Sequence, residues 1–206
     1  MKKITDLKPQ IKNPTRVSVF LDNVFYCGLE LETAMRKRLK IGDEIDEETL
    51  DEIQFDSERS RAMDKALGFI TRTRKTEKQV ADYLASKGYT EKTINSVLEA
   101  IKGYGFVSDG DYAEEYVKQT SGRKGKRLIA RELKAKGVSD ENIRDALSEV
   151  GDETASAVAV ARKYLRSKPK DKANLFKCYK YLLSKGFDYD AAKAAAESFG
   201  SVGEDD

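Results

Sequence analysis

Histidine and tryptophan are both absent from this 206-residue chain. Without histidine the commonest general base and the commonest metal ligand are missing. Cysteine occurs only as Cys27 and Cys178, far apart and each without a neighbouring thiol. The pair forms neither a disulfide framework nor a zinc site and reads as two reduced thiols. Proline (3) and glycine (14) are scarce, so few points interrupt a helix. No apolar run approaches the ~20 residues a membrane span needs. The opening Met1-Lys2-Lys3-Ile4-Thr5-Asp6 has no apolar stretch behind its lysines, so no secretory signal is expected. The expectation is a cytoplasmic monomer with no membrane contact, no cofactor and no metal.

Charge is abundant. Charged residues make up 36% of the chain and hydrophobic ones 39%, more of the former and fewer of the latter than a globular protein usually has. The apolar residues still recur at regular spacing, which points to helices with a large polar surface. The net charge of +2 hides an asymmetry. Nine acidic residues and no basic one lie between Asp43 and Glu58. Ser121–Lys136 carries seven basic residues against Glu132, and Arg162–Lys185 carries nine against Asp171. Separated blocks of charge suit a polyanion or an oppositely charged protein surface, although solvated helix faces show them too.

The first segment reads as a small α/β unit. Arg16–Leu21 and Val24–Leu29 are short strands around the turn pair Asp22-Asn23, which predicts a hairpin. Glu30–Leu39 reads as a short helix stopped near Gly42. Asp46–Ile53 reads as another, with its acids near the helix start, where the dipole favours them.

From about Arg59 the chain is helical and repeats itself. Lys-Gly pairs in the pattern Leu-x-x-Lys-Gly stand at 87, 136 and 185, two intervals of 49 residues. Leu84, Leu133 and Leu182 keep that register, as do Val80, Ile129 and Cys178. Leu67, Tyr116 and Leu165 also fall in line, and so do Ile101, Val150 and Phe199. Self-similarity at a fixed period marks a repeat architecture. Each unit holds three helices, near 59–71, 76–87 and 90–102 in the first. The second helix ends on Lys-Gly, where glycine supplies the left-handed C′ position. The fold class expected is mainly α, with tandem three-helix repeats in an elongated array behind the N-terminal hairpin unit. The segments are 1–58, then repeats at 59–107, 108–151 and 152–206, the last with a C-terminal tail.

These residues resemble the RecX family. The resemblance rests on Leu84-x-x-Lys87-Gly88-Tyr89, Ile94-x-x-Val97-Leu98 and Gly105-Phe106-Val107-Ser108-Asp109-x-x-Tyr112-Ala113. It continues through Gly125-x-x-Leu128-Ile129-x-x-Glu132-Leu133-x-x-Lys136-Gly137-Val138. Residues 14–55 are similar to the leader of some members. Where many relatives carry Gly-Pro, this chain has Gly125-Lys126, and a helix start does not require proline. The resemblance implies a non-enzymatic modulator of recombination, DNA repair and the SOS response. Such a protein docks into the groove of the RecA filament on DNA and blocks its growth or promotes its disassembly.

The cations carry the site expectation. Lys124, Arg127, Arg131 and Lys134 follow helical steps of 3, 4 and 3 and form one stripe, opposite Ile129 and Leu133. Arg123 and Lys126 flank it. Arg72, Arg74 and Lys75 precede the equivalent helix of the first repeat, and Lys168, Lys170 and Lys172 that of the third. An extended basic surface is expected to meet phosphates of single- or double-stranded DNA, or an acidic protein groove. A nucleic-acid-binding helical module acting without RecA remains the alternative on charge alone. Most aromatics near these cations fall on the apolar side of their helices. Tyr104, in the Gly103-Tyr104-Gly105 turn, is the one expected outside the core. Catalytic motifs fail. Arg127 replaces the Ser or Thr of a P-loop, Ser108 the third glycine of a dinucleotide turn, and Ala113 a calcium-loop ligand.

Overall fold

The computed structural model describes residues 1–11 and 13–200. The tail assigned to the third repeat lies, at residues 201–206, outside the described residues. Two compact units are present: Met1–Thr73 with Val80–Phe106, and Arg74–Gln79 with the residues from Val107 onward.

In the first unit, β1 (Lys2–Gln10), β2 (Asn13–Leu21), β3 (Val24–Glu30) and β4 (Glu44–Ile45) form an antiparallel sheet in the order β3-β2-β1-β4. Asp22 and Asn23 both take positive φ, 47° and 68°, as a tight hairpin turn requires. The expected hairpin is β2–β3, while β1 extends the sheet beyond it. Helix α1 (Leu31–Arg36) ends earlier than its sequence suggests, because Arg38 turns left-handed at φ 55°. Ile4, Val17, Val19, Leu21, Cys27, Leu29, Ala34, Leu50 and Ile53 make one buried cluster.

Helix α2 runs unbroken from Glu47 to Ile70. The two helices expected at 46–53 and from 59 are therefore one, and the 58/59 boundary falls inside it. No proline interrupts the stretch, and its one glycine, Gly68, comes only in the last turn. Asp46 caps its start on Thr49 N at 2.7 Å. Mid-helix Ser57 is buried, its hydroxyl accepting from Glu30 N at 2.8 Å. Helices α3 (Glu77–Ser86) and α4 (Glu91–Gly103) complete the first three-helix set.

The second set is α5 (Asp109–Thr120), α6 (Lys126–Ala135) and α7 (Asp140–Ser148). The third is α8 (Thr154–Leu165), α9 (Lys172–Ser184) and α10 (Tyr189–Glu197). Leu84, Leu133 and Leu182 are all fully buried, and so are Val80, Ile129 and Cys178. Gly88, Gly137 and Gly186 take φ of 84°, 92° and 85°. The N–H of the residue after each glycine closes onto that buried leucine's carbonyl, at 3.4, 3.2 and 3.3 Å. These three Lys-Gly pairs are thus Schellman caps. The first helices do not keep the 49-residue register. Leu165 is buried, but Leu67 and Tyr116 are half-buried. Buried pairs stand instead at Ala62/Ala66, Ala113/Val117 and Ala157/Ala161, because the connections to the second helices differ in length.

A joint recurs inside the second unit. Thr76 Oγ1 donates to Lys136 O at 2.7 Å, and Lys78 packs against Gly137. One period later Gly125 N donates to Lys185 O at 2.9 Å, and Arg127 N to Gly186 O at 3.2 Å. A carboxylate completes each joint at the start of the second helix. Asp109 accepts from Glu77 N at 2.9 Å and Glu153 from Lys126 N at 2.5 Å. Gly125 and Gly186 face each other so closely that a Cβ on either would collide with the other's segment.

Candidate partner and nucleic-acid interface

Helix α6 owes its outward face to its inward one. Ile129 and Leu133 are buried in the cluster of the second repeat, with Ala113, Val117, Val138, Ile143 and Ala146. That fixes the helix's rotation. The Gly125–Gly186 contact and the Glu153 carboxylate fix its start. Arg127 and Arg131 are exposed one turn apart on the other side. The Arg127 guanidinium lies 4.9 Å from the centre of the Tyr189 ring, a cation–π contact, and the residue stays exposed. Lys134 continues the stripe and meets Asp140 at 2.9 Å, with both side chains well exposed.

Lys124 departs from the stripe. It is half-buried and binds both oxygens of Glu132 at 2.7 Å, with Tyr116 Oη at 3.4 Å. The hydrogen bond to Glu132 raises the lysine's pKa above its ordinary value. Burial pushes Glu132 up, but the bonds from Lys124 and Tyr116 outweigh it and hold the carboxyl below its ordinary range. The expected outward place of Lys124 is therefore corrected: it is the counter-ion of a half-buried glutamate.

The remaining candidates divide similarly. Arg123 is exposed and donates to Gln119 O at 3.1 Å. Lys126 and Lys75 are half-buried beside the joints. Arg72 is exposed in the first unit; Arg74, in the second, pairs with Glu115 at 2.8 Å and approaches Asp111 at 3.9 Å. Lys168 sits 3.1 Å from the Tyr164 ring centre, and Lys170 5.3 Å from that of Phe199. Lys172 is exposed at the first turn of α9. The expected like-for-like basic surface at the start of every second helix is not what these contacts build. In the first two repeats that start is buried in a joint, and in the third Lys168 and Lys170 lie on local rings. The open cations brought together are those of α6.

Three features escape a reading of the sequence by charge. The lysine of each Lys-Gly cap lies over a ring: Lys87 over Tyr83 at 5.2 Å, Lys136 over Tyr116 at 5.7 Å, and Lys185 over Tyr181 at 5.3 Å. Phe106 joins Tyr104 outside the core, the two rings 5.6 Å apart and 55% and 71% exposed. Glu153 is a buried carboxylate whose pKa is raised by desolvation, against the lowering bonds from backbone N–H groups of Lys126 and Asp188. A sequence signal for it exists: Asp109 and Glu153 each stand four residues before a buried alanine of the first helix.

Residues 2–46 match the regulatory protein RecX N-terminal domain, residues 62–99 the first RecX three-helix domain, and residues 108–147 the second. Over 200 residues the chain is 36% identical to the regulatory protein RecX of Clostridium perfringens (strain 13), covering 94% of each. The chain belongs to the RecX family. The regulatory protein RecX of Bacillus licheniformis is 34% identical over 94% of this chain and 76% of its own length. A crystal structure of RecX from Lactobacillus salivarius superposes with a TM-score of 0.63 at 27% identity, over 69% of this chain and 96% of that one. A second crystal structure of a regulatory protein RecX shares the fold, with a TM-score of 0.67 over 93% of this chain and 97% of that one. RecX is a regulatory family, and the mainly helical three-helix organisation is that of its members. Among the described residues no helix is long and apolar enough to cross a membrane.

Proposed function

We propose that this chain is a non-enzymatic regulator of recombination and DNA repair that binds the RecA filament on DNA and inhibits it. Membership of a regulatory family over nearly the whole chain supports the reading. The observation that carries it is the α6 face, where Arg127 and Arg131 stand exposed on a helix anchored at its start and along its buried side. Cations held on a rigid element lose little freedom on binding, so they suit a repeated, negatively charged groove. The same face suits backbone phosphates, whose contacts position a protein without reading sequence.

The test is RecA with single-stranded DNA and ATP, titrated with this protein. ATP hydrolysis or strand exchange is expected to fall at substoichiometric amounts, since a block on filament growth affects many subunits. The protein alone is expected to hydrolyse neither ATP nor DNA. RecA activity that stays unchanged across a wide concentration range contradicts the reading. Tight binding to RecA-free DNA in that case identifies an independent nucleic-acid-binding module.

A further inference from the structure

Two Lys-Gly turns, at Lys136-Gly137 and Lys185-Gly186, are each filled by the start of a preceding second helix. The donor is Thr76-Glu77-Lys78 in one case and Gly125-Lys126-Arg127 in the other. Both donors are a small residue followed two positions later by a cation. Each receiving side has three parts: the lysine carbonyl, the left-handed glycine, and a carboxylate four residues before a buried alanine of the first helix.

The first unit holds all three parts again. Gly88 has the same left-handed conformation, at φ 84°. Glu58 stands four residues before buried Ala62, as Asp109 stands before Ala113 and Glu153 before Ala157. Glu58 accepts from the backbone N–H of Thr90 at 3.3 Å, as Glu153 accepts from that of Asp188, the matching N-cap. The surroundings differ. Where Gly137 and Gly186 are in tight contact, a Cβ on Gly88 would meet nothing within 4 Å. A cavity of about 320 Å³ opens there, lined by Glu58, Lys87, Gly88, Thr90, Arg16 and Arg61. The two arginines do not turn it into a plain anion site. Glu30 pairs with both, at 3.6 Å to Arg16 and 2.9 Å to Arg61. Glu91, exposed at the first position of α4, occupies the place that Tyr189 holds beneath Arg127.

We propose that this cavity is a receiving joint for the N-terminal turn of a helix from a protein partner, with Gly, Ser or Thr at its cap and Lys or Arg two residues on. The partner's first amides donate to the Lys87 carbonyl and the Glu58 carboxylate, and its cation meets Glu91. A helix start on the C-terminal carbonyls of α3 also aligns the two dipoles head to tail. The inference stands apart from the proposed function, since it involves neither DNA nor the α6 face.

The probe is a synthetic peptide with the sequence of residues 121–136, added to the isotope-labelled full chain and followed by amide NMR. Shifts are expected at Glu58, Lys87, Gly88 and Thr90. A Gly125→Leu peptide, whose side chain would enter the joint, is expected to bind at least tenfold more weakly. Glu91→Ala in the full chain, an exposed change that leaves the receiving backbone intact, is expected to weaken the parent peptide several-fold. Absence of these shifts at the highest soluble peptide concentration overturns the proposal. So do shifts confined to Lys185–Phe187, which mean exchange with the internal joint, or equal binding of both peptides. Shifts produced by inorganic phosphate and not by peptide identify an anion site and overturn it as well.

Discussion

Helices α6 and α9 hold the same place in consecutive repeats and diverge at their first turn. Both bury equivalent positions, Ile129 with Cys178 and Leu133 with Leu182. Helix α6 begins at Lys126 because Gly125 fits against Gly186, with Glu153 completing the turn. Helix α9 begins at Lys172, three residues before the place that the 49-residue period assigns, on the side chain of its own Asp171. Its outward face shows Phe176 rather than a cationic stripe, with Lys180 over that ring at 4.5 Å. The shared period specifies what is buried. Docking of the helix start needs a small residue together with a receiving turn: Gly125 meets Lys185-Gly186, as Thr76 meets Lys136-Gly137.

That comparison breaks most visibly in the core. Leu133→Ala and Leu182→Ala are each expected to lower stability by ~2–5 kcal/mol in urea unfolding, since both leucines are fully buried. Loss at one site with tolerance at the other would end the equivalence of the two repeats.

At the joint, Gly125→Ala is expected to lower stability by about 1–3 kcal/mol, because its Cβ meets backbone that cannot yield. Gly122→Ala, three residues away with nothing within 4 Å, is expected to stay within about 0.5 kcal/mol. Equal melting temperatures for the two variants would show that the start of α6 does not depend on close approach.

A smaller effect comes from Glu153. Its folded-state pKa lies above the ordinary value, so the folded chain holds this proton more tightly than the unfolded one. Its contribution is therefore most favourable on the acid side. It is lost as pH rises from about 4.5 through the raised pKa. Glu153→Gln keeps an acceptor for Lys126 N and cannot ionise. Stability measured against pH across that window is expected to fall less in the variant than in the parent. Parallel profiles would mean that the buried carboxylate is not the titrating group.

The helical repeats were legible because a period of 49 and the Lys-Gly pairs mark the buried leucine and its cap together. Strand β1 was not, since Lys2, Lys3, Asp6, Lys8 and Pro9 leave no alternation and only Ile4 is buried. The continuity of α2 was hidden by its change in charge near Glu58, which breaks no backbone bond. Arg127 and Arg131 could be placed from helical spacing, as their faces follow from Ile129 and Leu133. Lys124 could not, because its partner Glu132 lies eight residues away on another turn. The joints were illegible for the same reason: Thr76 and Lys136 are 60 residues apart, and neither residue type signals the other.

The most direct measurement is the affinity of the double variant Arg127→Ala/Arg131→Ala for RecA filaments on single-stranded DNA, against the parent, at two salt concentrations. Exposed charges contribute little to stability, so the variant is expected to melt with the parent. Each lost contact is expected to cost about 1–3 kcal/mol of binding. The deficit is expected to shrink as salt rises, because screening already weakens the parent's contacts. Glu52→Gln, exposed on the acidic half of α2, is expected to bind as well as the parent or better. Parent-like filament binding by the arginine variant, with affinity lost in Glu52→Gln, would contradict the account and move the interface to the N-terminal unit.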